Sequence, residues 1–260
     1  SAAYEFSHDL LREAAASQLS PIRRRYLHRL VADALAELHA PDIRPIAGRL
    51  AYHYDESGQT DSAIDAYALA ADQAQQMYAH GESERLLLRA IELLRQLPES
   101  PPRLALELDL LVALVAPLVA SEGYASPRIH EVHRRALGLA GSLGIEVAPP
   151  VLRSLGLGNL ARGDFDAARA CGAGLLERAR RDHDDVLIVE GEYLLGVIDF
   201  WAGELADACA HLEQSIAVYR DENRRKHLLS YAQDPKVVCL TRLALTYWLL
   251  GDGEKARQTR

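Results

Sequence analysis

Few places in this chain hold residues whose types and spacing could do chemistry. His130-Glu131-Val132-His133 brings two imidazoles and a carboxylate together. A zinc-protease helix needs histidines at i and i+4 on one face. Here they stand at i and i+3, so a solvated helix face is expected and no metal. Asp182-His183-Asp184-Asp185 is acidic, but it lacks the spaced oxygens and central glycine of a calcium loop. It reads as a loop and helix start, where aspartate meets the positive end of the helix dipole. Arg23-Arg24-Arg25 with Arg29 is short, has no interleaved aromatic stack and sits in an acidic chain. A solvated face or a contact with another domain is expected there. Gly156, Gly158 and Gly163 are not followed by Lys-Ser or Lys-Thr, so no phosphate-cradling loop is expected. No Ser/His/Asp or Cys/His nucleophile arrangement is readable. Cys171, Cys209 and Cys239 lie among apolar neighbours and read as small core residues.

Composition narrows the function classes. The formal charge is -8, from 29 basic and 37 acidic residues, so direct binding of nucleic acid is not expected. Hydrophobic residues make up 49% of the chain and aromatic ones 6%. Together with the abundance of Ala and Leu, that favours a packed helical protein over disorder or an all-β fold. Three widely spaced cysteines suggest neither a disulfide framework nor a zinc site and fit a reducing, cytoplasmic setting. There is no signal peptide and no initial Met, so a segment of a longer protein is expected. The apolar stretch Leu104 to Ala120 contains Glu107, Asp109 and Pro117, so it is expected in a core rather than in a bilayer.

The elements that must position any site are helices. Ser20-Pro21 opens one as N-cap and first helical residue. Ile22, Tyr26, Leu27, Leu30, Ala34 and Leu38 then fall on one stripe. Asp234-Pro235 repeats the same start signal. About ten further helices follow the break at Pro41-Asp42 and Pro45, with short connections. Longer breaks fall near Ser121 to Ala125, Gly144 to Pro149 and Asp221 to Gln233.

A repeat runs through this pattern. Glycine followed five residues later by alanine recurs at Gly58 and Ala63, Gly163 and Ala168, Gly203 and Ala208, and Gly251 and Ala256. Glycine ends one helix in a left-handed cap, and alanine keeps the next helix slim where the two cross. Eight residues before these glycines stand Leu50-Ala51, Leu155-Gly156, Leu195-Gly196 and Leu243-Ala244. The pattern L-[GA]-x-x-Y-x-x-x-G-x-x-x-x-A resembles the tetratricopeptide repeat, and Leu50, Ala51, Tyr54, Gly58, Ala63, Tyr67 and Ala70 match it best. The resemblance implies an all-α, right-handed superhelix of antiparallel helical hairpins, a TPR-like solenoid. The stretch from about Ala79 to Gly144 matches only loosely.

The ends resemble something more specific. Tyr4-Glu5-Phe6-Ser7-His8-Asp9-Leu10-Leu11-Arg12-Glu13 resembles the end of the winged-helix subdomain in STAND-type signalling ATPases. The stretch from Pro21 to Leu35 resembles the linker into their repeats. Ser121-Glu122-Gly123-Tyr124 with His133-Arg134-Arg135-Ala136-Leu137, and Tyr231-Ala232-Gln233-Asp234-Pro235 with Cys239-Leu240, resemble their repeat units. This resemblance implies that residues 1–40 end a winged-helix subdomain and form a linker helix, while 41–260 form the superhelix with a truncated last repeat. It implies nucleotide sensing by His8 and Asp9 in the intact protein, with Ser7 departing from the usual Met. No cofactor is expected in this segment, and ATP or ADP with Mg²⁺ would sit in an ATPase core outside it.

The implied function is that of a sensing and regulatory segment. Its partners would be its own ATPase core, an output module (a LuxR-type DNA-binding domain controlling transcription, or an adenylate cyclase), and a small-molecule inducer or regulatory protein in the superhelix groove. No membrane partner is expected, and self-association is, because a truncated last repeat leaves apolar surface uncapped. The segment itself is not expected to be an enzyme. Candidate contacts with a ligand or partner are Asn159, where the repeat usually has Tyr, and Arg224, Arg225, Tyr231, Gln233 and Asp234, in the long break that a superhelix would fold over its groove. The alternative reading is a stand-alone scaffold for protein-protein interaction.

Overall fold

A computed structural model describes residues 18–259 of the chain. His8 and Asp9 lie outside the described residues. Thirteen helices and no strand occur among the described residues. They are α1 (Pro21–Leu38), α2 (Ala47–Ser57), α3 (Thr60–Gln76), α4 (His80–Leu94), α5 (Pro101–Glu122), α6 (Pro127–Leu143), α7 (Pro149–Ala161), α8 (Phe165–Asp182), α9 (Asp185–Ala202), α10 (Leu205–Val218), α11 (Arg224–Tyr231), α12 (Pro235–Leu249) and α13 (Gly253–Gln258). Each long helix packs on the next, and α7, α9 and α12 also touch in sequence as one layer. This is an all-α helical-repeat solenoid.

The start signals work as side-chain chemistry. Ser20 accepts from the Arg23 amide at 3.3 Å, and Asp234 accepts from the Lys236 amide at 3.1 Å, each just before a proline, which has no N–H to satisfy. Asp184 caps α9 by accepting from Val186 and Leu187, which settles the acidic run as a helix start.

The repeat signature is equally physical. Gly58, Gly163, Gly203 and Gly251 all take left-handed backbone, with φ between 78° and 86°. Ala63, Ala168 and Ala208 are fully buried at the crossings. A Cβ at Gly196 would sit 2.7 Å from Leu212 Cγ, and one at Gly156 would sit 2.6 Å from Leu194 Cδ2. Only glycine lets those helices approach so closely.

α5 is long and apolar enough to cross a membrane by length and composition. Here it packs between α4 and α6. Its buried Glu107 accepts from Nε and Nη2 of Arg135, at 2.9 and 2.8 Å, with Arg95 and Arg103 within 3.6 Å. The bonds from Arg135 hold that carboxyl below its ordinary range.

Two expectations need correction. The break from Asp221 to Gln233 is not an open loop: a 3-10 turn (Asp221–Asn223) leads into α11, which packs on α5 and α7. His133 is not on a solvated face: it is buried, its Nε2 lies 3.0 Å from Ser154 Oγ, and burial pushes its pKa down to about 4.

Candidate functional site

The most elaborate polar constellation lies where α7, α9, α11 and the start of α12 converge. Arg153 on α7 is buried. Its Nη1 donates to the Tyr124 hydroxyl at 2.7 Å and to the Tyr231 carbonyl at 3.2 Å, while Nη2 donates to Gln233 Oε1 at 2.9 Å. Its Nε lies 2.9 Å from Glu190 Oε2, off the line of an aligned hydrogen bond, so that contact is Coulombic. The guanidinium also lies over three rings, 4.7 Å from Tyr193, 5.5 Å from Tyr231 and 5.8 Å from Tyr124. Burial works against its charge, but Tyr124, Glu190 and Tyr193 outweigh that and raise its pKa.

Glu190 ties this cluster to α11. Its Oε1 lies 2.6 Å from His227 Nδ1. A carboxylate can only accept, so Nδ1 carries the proton. His227 is fully buried and stacks on Tyr219 at 5.3 Å. α11 also reaches the early repeats: Gln75 Nε2 donates to the Leu229 carbonyl at 2.6 Å, and Arg225 Nη2 to Gln76 Oε1 at 2.5 Å. It thus forms a strap joining residues more than a hundred positions apart.

Gln233 has one possible amide orientation. Its Oε1 accepts from Arg153, from Tyr193 at 3.0 Å and from Tyr124 at 3.3 Å. Flipping the amide would set its NH₂ against the Arg153 donor. Nε2 therefore faces the other way, and Gln233 lines a pocket of about 530 Å³ between α7, α8, α9 and α12.

That pocket follows from helical spacing. Tyr193, Val197 and Trp201 fall at i, i+4 and i+8 on α9, and Val238 and Arg242 at i and i+4 on α12. Leu157 and Leu160 close the α7 side and Phe165 the α8 side. Arg242 lies 5.1 Å from the rings of both Phe200 and Trp201. No carboxylate among the described residues lies within 4.0 Å of it.

The candidate residues divide. Tyr231 and Gln233 belong to the Arg153 cluster. Arg224 pairs with Asp234 at 3.0 Å, and Asp234 caps α12, so both are engaged within the chain. Arg225 lines a second pocket of about 550 Å³ between α3, α5 and α11. Asn159 stands apart: it is buried, with Cys171 Sγ at 3.9 Å and Arg162 Nη2 at 2.5 Å. Arg153, Glu190, Tyr193 and Arg242 went unread in the sequence. The available signal was a charge inside an apolar helix, as Glu190 is in Val-Leu-Ile-Val-Glu-Gly. Burial pushes Cys171 to about 11 and Cys239 to about 12, so both thiols stay protonated at neutral pH. Among the described residues no group of three His, Cys, Asp or Glu side chains is placed to hold a metal.

No family model matches the chain. It is 22% identical over 250 residues to an uncharacterised protein of Rhizobium meliloti (strain 1021). That alignment takes in 96% of this chain but 24% of the relative, so the chain spans about a quarter of that protein's length. Among solved structures it resembles BtubC (BKLC) from P. vanneervenii, with a TM-score of 0.55 and 18% identity over 93% of this chain and 89% of that one. At that identity the likeness carries the fold alone, a helical-repeat solenoid.

Proposed function

We propose that this chain is the effector-sensing segment of a larger regulatory protein, and that it recognises rather than catalyses. The observation that supports this most is the α11 strap. It ties α3, through Gln75 and Gln76, to the Arg153 cluster on α7 and α9. A ligand that met this strap differently in two states would shift the packing of early against late repeats, which is what a sensor must do. The relative four times as long is in keeping with further domains. The residues around Tyr4 to Glu13 and Pro21 to Leu35 favour a STAND-type ATPase core beside it, with a DNA-binding or cyclase output.

The parent reading frame tests this reading. It is expected to encode G-x-x-x-x-G-K-[ST] on the N-terminal side of Ser1, and the purified protein to hydrolyse ATP at a rate that an effector changes. A frame without a phosphate-binding loop sinks it. The scaffold reading would then stand, favoured by the apolar side chains that α1 leaves exposed, Ile22 at 83% and Leu38 at 75%.

A further inference from the structure

We propose that the pocket between α7, α8, α9 and α12 binds a small organic acid, one carboxylate on an aromatic or branched apolar body. This rests on the reading of the superhelix as an effector-binding segment and names the chemistry of the effector.

Three features select that ligand. The first is an unspent cation. Arg242 lies at the pocket wall and finds no carboxylate among the described residues within 4.0 Å. The Phe200 and Trp201 rings, nearly perpendicular to each other, both lie 5.1 Å from its guanidinium carbon and attract the cation without accepting a conventional hydrogen bond from it. The second is a directed amide. Three donors occupy Gln233 Oε1, so its Nε2 hydrogens are left for the pocket. Among the described residues Nε2 has no hydrogen-bond partner and is not one of the sealed atoms, so solvent or a ligand reaches it. Two donors and a full positive charge call for an anion with two oxygens. The third is the wall: Phe165, Tyr193, Trp201, Leu157 and Val197 present rings and branched carbons. A volume of about 530 Å³ lies in the range of small-molecule sites and admits a body of one or two rings.

The other cavities make weaker cases. In the pocket beside α11, Arg225 already donates to Gln76 Oε1 at 2.5 Å, and Asp72 in the same lining opposes an anion. Glu190 and His227 bond each other through Oε1 and Nδ1 and leave Glu190 Oε2 and His227 Nε2 without a hydrogen-bond partner, but both side chains are fully enclosed, so a ligand has no access to them.

Calorimetry of the full chain tests the assignment, with indole-3-propionate and 3-phenylpropionate as probes and their primary amides as controls. A short peptide ending in Phe, with its carboxyl free or amidated, forms a separate arm. The acids are expected to bind and the amides to bind about tenfold more weakly or worse. Arg242→Gln should remove that preference, and Trp201→Ala should weaken acid and amide alike. Both side chains reach solvent, so the variants should keep the parent melting temperature. The assignment is overturned if neither acid binds at millimolar concentration, if acid and amide bind equally, if R242Q keeps the preference, or if only the free-carboxyl peptide binds. None of these results bears on whether the parent frame carries a phosphate-binding loop, so this assignment and the sensor reading fail separately.

Discussion

Arg153 and Glu190 face each other 2.9 Å apart with 1% and 0% of their side chains exposed. The pair joins α7 to α9, and Glu190 passes the link to His227 on α11. Removing one member strands the other's charge in a dry interior, which costs about 3–5 kcal/mol. Arg153→Met and Glu190→Met should each destabilise the chain by about that amount in urea unfolding. The double variant should cost clearly less than the sum of the two, because neither charge is then left alone. Additive losses would show that the two side chains act independently.

The helical framework was legible because its signals are local. A serine or aspartate before proline, and glycine before an alanine helix, act within a few residues of themselves, and Ser20, Asp234, Gly58 and Gly203 do as read. α11 was not legible. Its stretch is polar, and what makes it a helix is tertiary: His227 and Tyr231 are buried against Glu190 and Arg153. The same holds for the candidate site. Gln233 and Tyr231 were found as parts of a repeat-like stretch, but Arg153 and Glu190 meet across 37 residues, and no spacing rule links them.

Glycines test the close helix approach. A methyl added at Gly196 meets Leu212 Cγ at 2.7 Å and the Leu212 amide nitrogen at 3.1 Å. Backbone cannot yield as a side-chain tip can, so Gly196→Ala should cost about 1–3 kcal/mol despite the better helix propensity of alanine. Gly138 in α6 has nothing within 4 Å of its would-be Cβ. Gly138→Ala should therefore stabilise by up to about 1 kcal/mol. Thermal melts moving in the same direction for both would contradict this account.

Acid sensitivity should centre on His133. Burial lowers its pKa from 6.5 to about 4 in the folded chain. Unfolding therefore takes up a proton anywhere between those values, and stability rises with pH across that window. The contribution is complete above about pH 6.5 and lost by about pH 4, for a total of about 3 kcal/mol. His211 acts with the opposite sign: its bond with Glu192 raises its pKa, so its contribution is present below 6.5 and fades as pH climbs through the raised value. The two windows adjoin rather than overlap. His133→Gln should flatten the stability profile between pH 4 and pH 6.5 and leave the profile above it unchanged, as read from urea midpoints at each pH. A variant with the parent slope would remove His133 from the explanation.

The late repeats should drive self-association. On α12, Val237 is 56% exposed and Trp248 65%, with Leu249 and Leu250 beyond them at 56% and 51%. In a solenoid each hairpin buries its apolar face on the next, so a face with no neighbour among the described residues offers a second copy the same apolar contact. Each large side chain so covered is worth about 1.5–3 kcal/mol before the cost of association. Light scattering should show the mass rising above 28.7 kDa as concentration increases. Trp248→Glu with Leu249→Glu should hold it there, since burying two carboxylates without partners opposes the contact. A mass that stays at the monomer value at every concentration would mean that these side chains are tolerated in water, and the association would have to be abandoned.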